Sequence, residues 1–180
     1  MLRNLTKIGS LAVVLSLASI GSAQALPTAT GHGTVQAGIG WSYVEPDYAP
    51  KAIQGVTAYG DFDFLPHFGV EAEYHYISLE TPTDLGEDSF LFGPRFVLPR
   101  GRYSLYGKAM FGVGVINIQE VFDNPEGGAG TYLAYGFGGG IDYRVYKRVV
   151  VRGDVEYQHW SYGTGLTPTS YTLGVGYRFR

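Results

Sequence analysis

The last residues of the chain alternate strictly between large apolar side chains and small or polar ones. In residues 170–179 every second position is apolar, from Tyr171 to Phe179, and the positions between them carry Ser, Thr, Gly or Arg. A period of two is the side-chain period of a β-strand, so this segment predicts a strand with one apolar and one polar face. Its length is about what a tilted strand needs to cross the hydrocarbon core of a bilayer.

The same alternation recurs along the chain and predicts seven further strands, separated by segments rich in Gly, Pro, Asn and Asp. Pro94 lies inside the fourth strand, where it removes a hydrogen-bond donor from the ladder, so a β-bulge is expected there. The predicted strands are 34–44, 52–64, 68–77, 89–98, 103–118, 131–145, 149–160 and 170–179.

The connections between these strands alternate between short and long. A spanning strand cannot stand alone in lipid, because its backbone groups would lack partners, so the strands are expected to close a barrel. Short periplasmic turns and longer outer loops are typical of bacterial outer-membrane barrels. We therefore predict an all-β fold, an eight-stranded antiparallel transmembrane up-and-down barrel. The short links centre on Pro66, Gly101 and Lys147, and the longer ones on Pro46, Pro82, Pro125 and Gly165.

Periodicity alone does not say which face points inward, since a soluble lipocalin-like carrier also alternates, with its apolar face inside. In each predicted strand the alternate positions form two sets, an apolar parity and a polar parity. Here the polar parity carries charges of both signs together with many glycines, which suits a narrow, filled interior. Aromatic residues of the apolar parity lie near strand ends, where they could form interfacial girdles. The interior ion-pair network is predicted to comprise Asp61, Asp63, Glu71, Glu73, Arg95, Lys108, Asp142, Arg144, Arg152, Asp154, Glu156 and Arg178.

The N-terminal segment has the features of a secretory signal peptide. Arg3 and Lys7 precede an apolar run over residues 8–20, and Ala23 and Ala25 form a small-x-small cleavage site. These features predict a signal peptide over residues 1–25, followed by one β-barrel domain over residues 26–180. The apolar run is too short for an ordinary membrane-spanning helix.

Charge and composition exclude several classes of function. Without Arg3 and Lys7, the 13 basic residues fall to 11 against 16 acidic ones, a formal charge of −5. No basic patch is expected to bind nucleic acid, so nucleic acid is excluded as a partner. The absence of cysteine excludes disulfides and thiolate metal sites, and the four histidines lack metal-ligand spacing. Neither a metal site nor a cofactor is therefore expected.

Three segments carry a resemblance to a known family. The closing segment 173–179 resembles the last strand of the OmpA/OmpX-like outer-membrane β-barrel family, and segments 68–74 and 151–157 resemble its inner strands. The resemblance implies a barrel whose terminal strand is read by the barrel-assembly machinery. Arg180 departs from the family pattern, in which the aromatic residue ends the chain, and no peptidoglycan-binding domain is expected after the barrel. The implied assembly signal comprises Tyr171, Leu173, Val175, Tyr177 and Phe179.

Two motifs could indicate enzymatic chemistry, and neither has its full context. The glycine-rich segment 136–140 continues with a period of two and not into a helix, so it lacks the setting of a nucleotide fingerprint. His159 and Ser161 resemble the His-x-Ser element of PagL-type lipid A deacylases, which would need Ser161 as nucleophile and His159 as base. Tyr162 stands where that family has asparagine, and no acidic residue follows Ser161 to orient the imidazole.

The predicted function is that of an integral bacterial outer-membrane protein, not an enzyme, with a plugged interior and a structural or loop-mediated role. The expected partners are outer-membrane lipid, the barrel-assembly machinery and extracellular ligands bound through the loops, and the chain is expected to be a monomer. One alternative is a lipid A deacylase-like hydrolase using His159 and Ser161. The others are a narrow pore and a carrier of small ligands.

Overall fold

The computed structural model describes residues 33–47, 52–80, 85–118, 129–161 and 165–179. The predicted signal peptide and its cleavage site lie outside the described residues. The described part forms eight β-strands and contains no helix long and apolar enough to cross a membrane. The strands are β1 (Thr34–Glu45), β2 (Ile53–Asp63), β3 (Phe68–Glu80), β4 (Leu85–Arg100), β5 (Tyr103–Ile118), β6 (Ala129–Arg144), β7 (Val149–Trp160) and β8 (Thr169–Phe179).

Each strand pairs antiparallel with the next along the chain, and β8 pairs with β1 to close the barrel. In the closing ladder, Trp41 lies opposite Leu173 and Ala37 opposite Tyr177. Closure gives every strand two neighbours, which satisfies the backbone groups that an open sheet edge would leave unpaired. The predicted all-β up-and-down barrel is confirmed.

The two side-chain parities separate as the alternation predicts. On the apolar parity, Phe137 and Leu173 are 66% and 68% exposed on the outer surface. On the polar parity, Arg152 is 1% exposed and lies inside the barrel. The apolar face is therefore the outer face, and a soluble lipocalin-like arrangement, which places apolar side chains inside, is excluded.

The expected bulge at Pro94 is wrong. The β4–β5 ladder lacks the pairs opposite Gly93 and Pro94, yet it resumes between Arg95 and Lys108 in the register that it had at Phe92. The proline thus interrupts pairing on one side without inserting a residue. A register shift occurs instead in the β2–β3 ladder, between Gln54 and Val56.

Several strands are longer than predicted at their outer ends. β3 continues to Glu80 and β4 begins at Leu85, although the sequence predicted a polar loop over residues 79–88. Leu85 and Asp88 pair with Ile118 and Val115 of β5. The β4–β5 ladder therefore includes residues in which apolar and polar side chains do not alternate regularly. Backbone pairing with a neighbouring strand can extend a strand where the side-chain pattern is too polar to predict one.

Candidate functional site

Lys108 of β5 lies at the centre of a cluster of charged side chains inside the barrel. Its side chain is fully buried, as are its partners on β3 and β7. A buried ammonium group is stable only when it is paired, so these carboxylates compensate its loss of hydration. The Nζ atom lies 2.6 Å from Glu73 Oε1, 3.1 Å from Glu71 Oε1, 3.1 Å from Asp154 Oδ1 and 3.1 Å from Glu156 Oε2.

Two arginines extend this cluster toward the end of the barrel that carries the short turns. Arg95 Nη1 lies 2.5 Å from Asp61 Oδ2 and 2.9 Å from Glu71 Oε2. Arg152 Nη2 lies 2.6 Å from the same oxygen of Asp61, and its Nε lies 2.8 Å from Asp142 Oδ1. Glu71 therefore joins the two arginines to the lysine. We call the connected set the ionic layer: Asp61, Glu71, Glu73, Arg95, Lys108, Asp142, Arg152, Asp154 and Glu156.

Two tyrosines that were not among the predicted site residues cover the arginines. The guanidinium carbon of Arg152 lies 3.8 Å from the ring centroid of Tyr59, and that of Arg95 lies 4.1 Å from the ring centroid of Tyr106. Stacking of this kind suits the planar guanidinium and stabilises it where water is absent. A Cβ atom added at Gly176 would lie 2.6 Å from the Tyr59 hydroxyl, so a glycine is needed there to make room for the ring. Tyr59 lies on the same parity of β2 as Asp61, and this position in the alternation could have identified Tyr59 as an interior residue.

Three of the twelve predicted network residues lie outside the ionic layer. Asp63 and Arg178 are only half-buried, and Arg178 donates to Gln36 Oε1 through Nε and Nη2 at 3.3 and 3.2 Å. Arg144 is exposed, and its Nη2 donates to the Gly101 carbonyl at 3.1 Å. For Arg144 the prediction is wrong, because parity alone does not show that the last residue of β6 lies at the rim of the barrel.

The interior nearer the long loops contains buried apolar side chains beside polar ones such as Glu87 and Gln158, which the parity argument did not predict. Trp160 is 1% exposed, and its Nε1 donates to Gln158 Oε1 at 2.7 Å. A cavity of about 10 Å³ in this region is lined by His75, Glu87 and Trp160, among others, and has room for roughly one water molecule. We call the buried apolar set the apolar layer: Val44, Ile53, Ile77, Leu91, Met110, Ile116, Ala134 and Trp160.

Glu73, His75 and Glu156 form a grouping that the spacing of the histidines did not predict. Their ligand atoms lie within 4.8 Å of one another, and His75 Nε2 is 3.3 Å from Glu73 Oε2. These residue types can bind a transition metal such as Zn²⁺. In this structure the ammonium of Lys108 forms ion pairs with both carboxylates. The grouping brings β3 and β7 together across the interior, and spacing along one strand cannot show such a contact.

The structure does not assemble His159 and Ser161 into a catalytic pair. His159 is half-buried on the outer parity, with its ring centroid 5.0 Å from that of Tyr135. Among the described residues, no hydrogen bond joins its imidazole to the hydroxyl of Ser161. A nucleophile and its base need such a contact, or one water between them, so the geometry does not favour acyl transfer.

The first and last outer loops are joined by a contact outside the membrane-spanning strands. Asp47 Oδ1 accepts a hydrogen bond from the Thr167 amide at 3.0 Å, and Oδ2 accepts one from the Thr167 hydroxyl at 2.8 Å. Partial burial opposes ionisation of Asp47, but these two hydrogen bonds and the charge of His159 hold the pKa of its carboxyl below the ordinary value. We call this contact the Asp47–Thr167 clasp.

The residues of the implied assembly signal lie on the outer face of β8. Leu173 lies opposite Trp41 of β1 and Gly153 of β7, so β8 completes both neighbouring ladders. Near the end of the strand, the rings of Tyr177 and Phe179 pack edge to face, with centroids 4.9 Å apart. The exposed fractions of the five assembly-signal residues range from 41% to 68%. These residues are Tyr171, Leu173, Val175, Tyr177 and Phe179.

Comparison with known proteins assigns this architecture to a family. A family model described as "Outer membrane protein beta-barrel domain" matches residues 11–179, which is most of the chain. No curated protein sequence matches the chain.

Solved structures share the fold at low sequence identity. The chain is similar to Ail, the attachment invasion locus protein of Yersinia pestis, solved in complex with the heparin analogue sucrose octasulfate (23% identity, 83% of this chain, 100% of that chain, TM-score 0.58). It is also similar to Neisserial surface protein A (13%, 82% and 97%, 0.61). A third is the N-terminal β-barrel domain of Pseudomonas aeruginosa OprF (14%, 82% and 97%, 0.52).

Proposed function

Because the chain belongs to the outer membrane protein β-barrel domain family, we propose that it acts in the bacterial outer membrane as a closed, non-conducting barrel. The observation that carries this proposal is the filling of the interior by two successive layers. Side chains at least 95% buried occupy the ionic layer, and two clusters of buried apolar side chains, together the apolar layer, lie mainly on its long-loop side. An eight-stranded barrel has an interior just wide enough for side chains to fill, so these layers act as two barriers in series.

The charge of the ionic layer also predicts the ion selectivity of the interior if it opened. Three cationic side chains face six carboxylates, so the layer carries a formal charge of −3 when all of them are ionised. Any residual pathway would therefore favour cations over anions. The apolar layer adds a barrier to both, because a narrow apolar constriction excludes water and hydrated ions.

A non-enzymatic role is part of this proposal. The charge of His159 helps to lower the pKa of Asp47, and both carboxylate oxygens of Asp47 accept hydrogen bonds from Thr167. No hydrogen bond of the described residues joins Asp47 to the imidazole of His159. Within the described residues, no nucleophile, base and orienting group are assembled, which supports a structural or binding role over a lipid A hydrolase.

The outer loops are the proposed site of any contact with extracellular partners. Ail was solved with a sulfated heparin analogue, but the sequence of this chain has eight acidic residues and one basic residue at the outer strand ends and in the connections between them. Acidic segments repel sulfated glycans, so neutral or cationic partners suit them better. The residues concerned are Glu45, Asp47, Glu80, Asp84, Asp88, Glu120, Asp123, Glu126 and Lys51.

The proposal includes a route to the membrane and an oligomeric state. Residues 1–25 would direct export as a signal peptide. The apolar outer face of β8, from Tyr171 to Phe179, would serve as the signal for the barrel-assembly machinery. The barrel would act as a monomer, because closure between β1 and β8 leaves no strand edge for a partner.

Planar-bilayer recording of the refolded chain tests the closed interior. The unaltered protein should insert without opening stable channels. A variant that opens only the ionic layer, Arg95→Ser with Arg152→Ser, should stay silent because the apolar layer remains. A variant that opens only the apolar layer, Trp160→Ala, should also stay silent. The three substitutions combined should give a small, cation-selective conductance.

Folding of each variant is checked by its heat-modifiable migration on gels. The matched control is Arg100→Ser with Arg144→Ser, which removes two exposed arginines from the rim and should leave the bilayer silent. Large, stable channels from the unaltered protein would contradict the proposal, whatever the variants do.

A further inference from the structure

Charge is strongly segregated along the barrel axis. The outer ends are acidic, as described above, and the inner ends, where the short turns lie, are basic. The inner segments 62–69, 99–103, 144–149 and 176–180 together contain one acidic residue, Asp63. The basic residues of the inner ends are Arg100, Arg102, Arg144, Lys147, Arg148, Arg178 and Arg180.

Five of these cations form one exposed patch on two neighbouring turns. The Arg144 amide donates to the Arg102 carbonyl at 2.7 Å, and the Arg144 side chain donates to the Gly101 carbonyl, so the β4–β5 and β6–β7 turns are in direct contact. We call the five side chains the turn cations. They are Arg100, Arg102, Arg144, Lys147 and Arg148, and all of them are exposed.

No carboxylate of the described part of the chain forms an ion pair with any turn cation, in contrast to the fully paired cations of the ionic layer. Arg148 donates to the Tyr177 hydroxyl at 3.0 Å, which holds its guanidinium beside the outer surface. Like charges on two turns in contact repel each other unless an anion lies among them. The patch therefore has the electrostatic character of an anion-binding surface.

The surroundings of the turn cations indicate where that anion lies. Tyr146 is 68% exposed at the tip of the β6–β7 turn, and Tyr103 and Tyr143 are exposed on the adjoining strand ends. Exposed tyrosines beside basic side chains are typical of the membrane–water interface, where the ring contacts acyl chains and the cation meets headgroups. Arg144 directly follows the lipid-facing Tyr143, and successive residues of a strand are only about 3.3 Å apart along its axis. The turn cations thus lie at headgroup depth and not deep in the periplasm.

We propose that the turn cations bind the phosphate groups of anionic phospholipids, of the phosphatidylglycerol class, in the inner leaflet of the outer membrane. Guanidinium groups pair with phosphate oxygens in a bidentate geometry, and the lysine adds a point charge. The binding surface continues the lipid-facing wall of the barrel, so the lipid need not leave the bilayer to reach it. This inference depends on the placement of the chain in the outer membrane and not on the closed interior.

Native mass spectrometry of the refolded chain tests the proposal. The protein is released from micelles containing equal amounts of palmitoyl-oleoyl phosphatidylglycerol and phosphatidylethanolamine, and the retained lipids are counted. The variant Arg102→Gln with Lys147→Gln removes two turn cations that make no side-chain hydrogen bond in the described structure, so the fold should be kept. Retention of phosphatidylglycerol should fall by roughly fivefold for each charge removed, while retention of phosphatidylethanolamine stays unchanged.

The control variant Lys51→Glu changes the net charge by the same two units on the long-loop side and should retain as much phosphatidylglycerol as the unaltered chain. An equal loss in both variants would overturn the proposal, because net charge alone would then explain retention. Unchanged retention in Arg102→Gln with Lys147→Gln would overturn it as well. The proposal would also be overturned if binding to isolated peptidoglycan required the turn cations and retention of phosphatidylglycerol did not. If the double variant fails the heat-modifiability check, the single variant Lys147→Gln decides by the same criteria.

Discussion

Lys108 shows how one side chain can connect distant parts of the sequence. Its ammonium group contacts carboxylates of β3 and β7, which lie on opposite sides of β5 and far from it along the chain. Removing one partner of a buried ion pair leaves the others uncompensated, and this usually costs more than the pair itself contributes.

We expect Lys108→Met to lower the free energy of unfolding by about 3–5 kcal/mol, because four buried carboxylates would lose their common partner. The measurement is urea unfolding of the refolded protein in lipid vesicles, followed by tryptophan fluorescence. Lys147→Met is the matched control, since Lys147 is exposed and its replacement should change stability by less than about 0.5 kcal/mol. Equal effects of the two substitutions would contradict the buried-partner explanation.

The Asp47–Thr167 clasp predicts a pH-dependent contact between the first and last outer loops. Because the folded state favours the carboxylate of Asp47, its stabilising effect is present above the ordinary pKa of 3.8 and is lost as the pH falls below that value. The NMR chemical shift of the Thr167 amide proton should therefore titrate with a midpoint below 3.8.

The variant Asp47→Asn provides the control for the clasp. It keeps a side-chain oxygen acceptor but cannot ionise, so the Thr167 amide should no longer titrate in this acidic range. A titration with the same midpoint in the variant would show that another group controls the amide.

At the scale of the strand, β5 shows that the two faces of one element tolerate substitution differently. Gly114 faces the interior, where an added Cβ would lie 2.7 Å from three ring atoms of Trp160. Gly107 faces outward, where the nearest atom to an added Cβ is the Gly138 carbonyl oxygen, 3.9 Å away. The indole of Trp160 is buried and hydrogen-bonded, so it has little freedom to move aside.

We expect Gly114→Ala to destabilise the barrel by about 1–3 kcal/mol through overpacking. Gly107→Ala, the same change on the same strand, should be neutral or slightly stabilising because alanine has less backbone freedom to lose on folding. Chemical unfolding of both variants in the same vesicles gives the difference between their free energies of unfolding. A larger loss for Gly107→Ala would mean that the faces of β5 are assigned the wrong way round.

The strand alternation predicted most of the elements, and its failures occur where backbone pairing outweighs the side-chain pattern. Residues 85–88 were predicted to belong to a polar loop with Pro82 and Gly86, yet they pair with β5. Pro94 was expected to cause a bulge, but the ladder continues on the β3 side, where Pro94 lies opposite Val70. In both places the ladder of a neighbouring strand determines the local structure.

At the scale of the whole molecule, the two ends of the barrel carry opposite charge and different connections. The long loops are acidic and the short turns are basic. Short turns on the periplasmic side are the rule for outer-membrane barrels, which sets the expected orientation.

Cysteine labelling in intact cells checks this orientation, because the natural chain has no cysteine. A maleimide attached to a polymer too large to cross the outer membrane should label Ser161→Cys at once and Tyr146→Cys only after the membrane is disrupted. Leu173→Cys, on the lipid-facing surface, should resist labelling in the intact membrane. The unaltered chain provides the blank, and immediate labelling of Tyr146→Cys would reverse the assignment of the two ends.

By itself, the sequence determined the number of strands, the face of each that is apolar and the alternation of short and long connections. These properties depend on the side-chain period of two and on local turn residues, which can be read from neighbouring positions. Only the tertiary structure decided which charges meet. Arg144 and Arg152 share a parity, but closure places Arg152 among Asp61, Glu71 and Asp142 and leaves Arg144 at the rim. Such partners come from strands far apart in sequence, and they meet only because the sheet curves until β8 reaches β1.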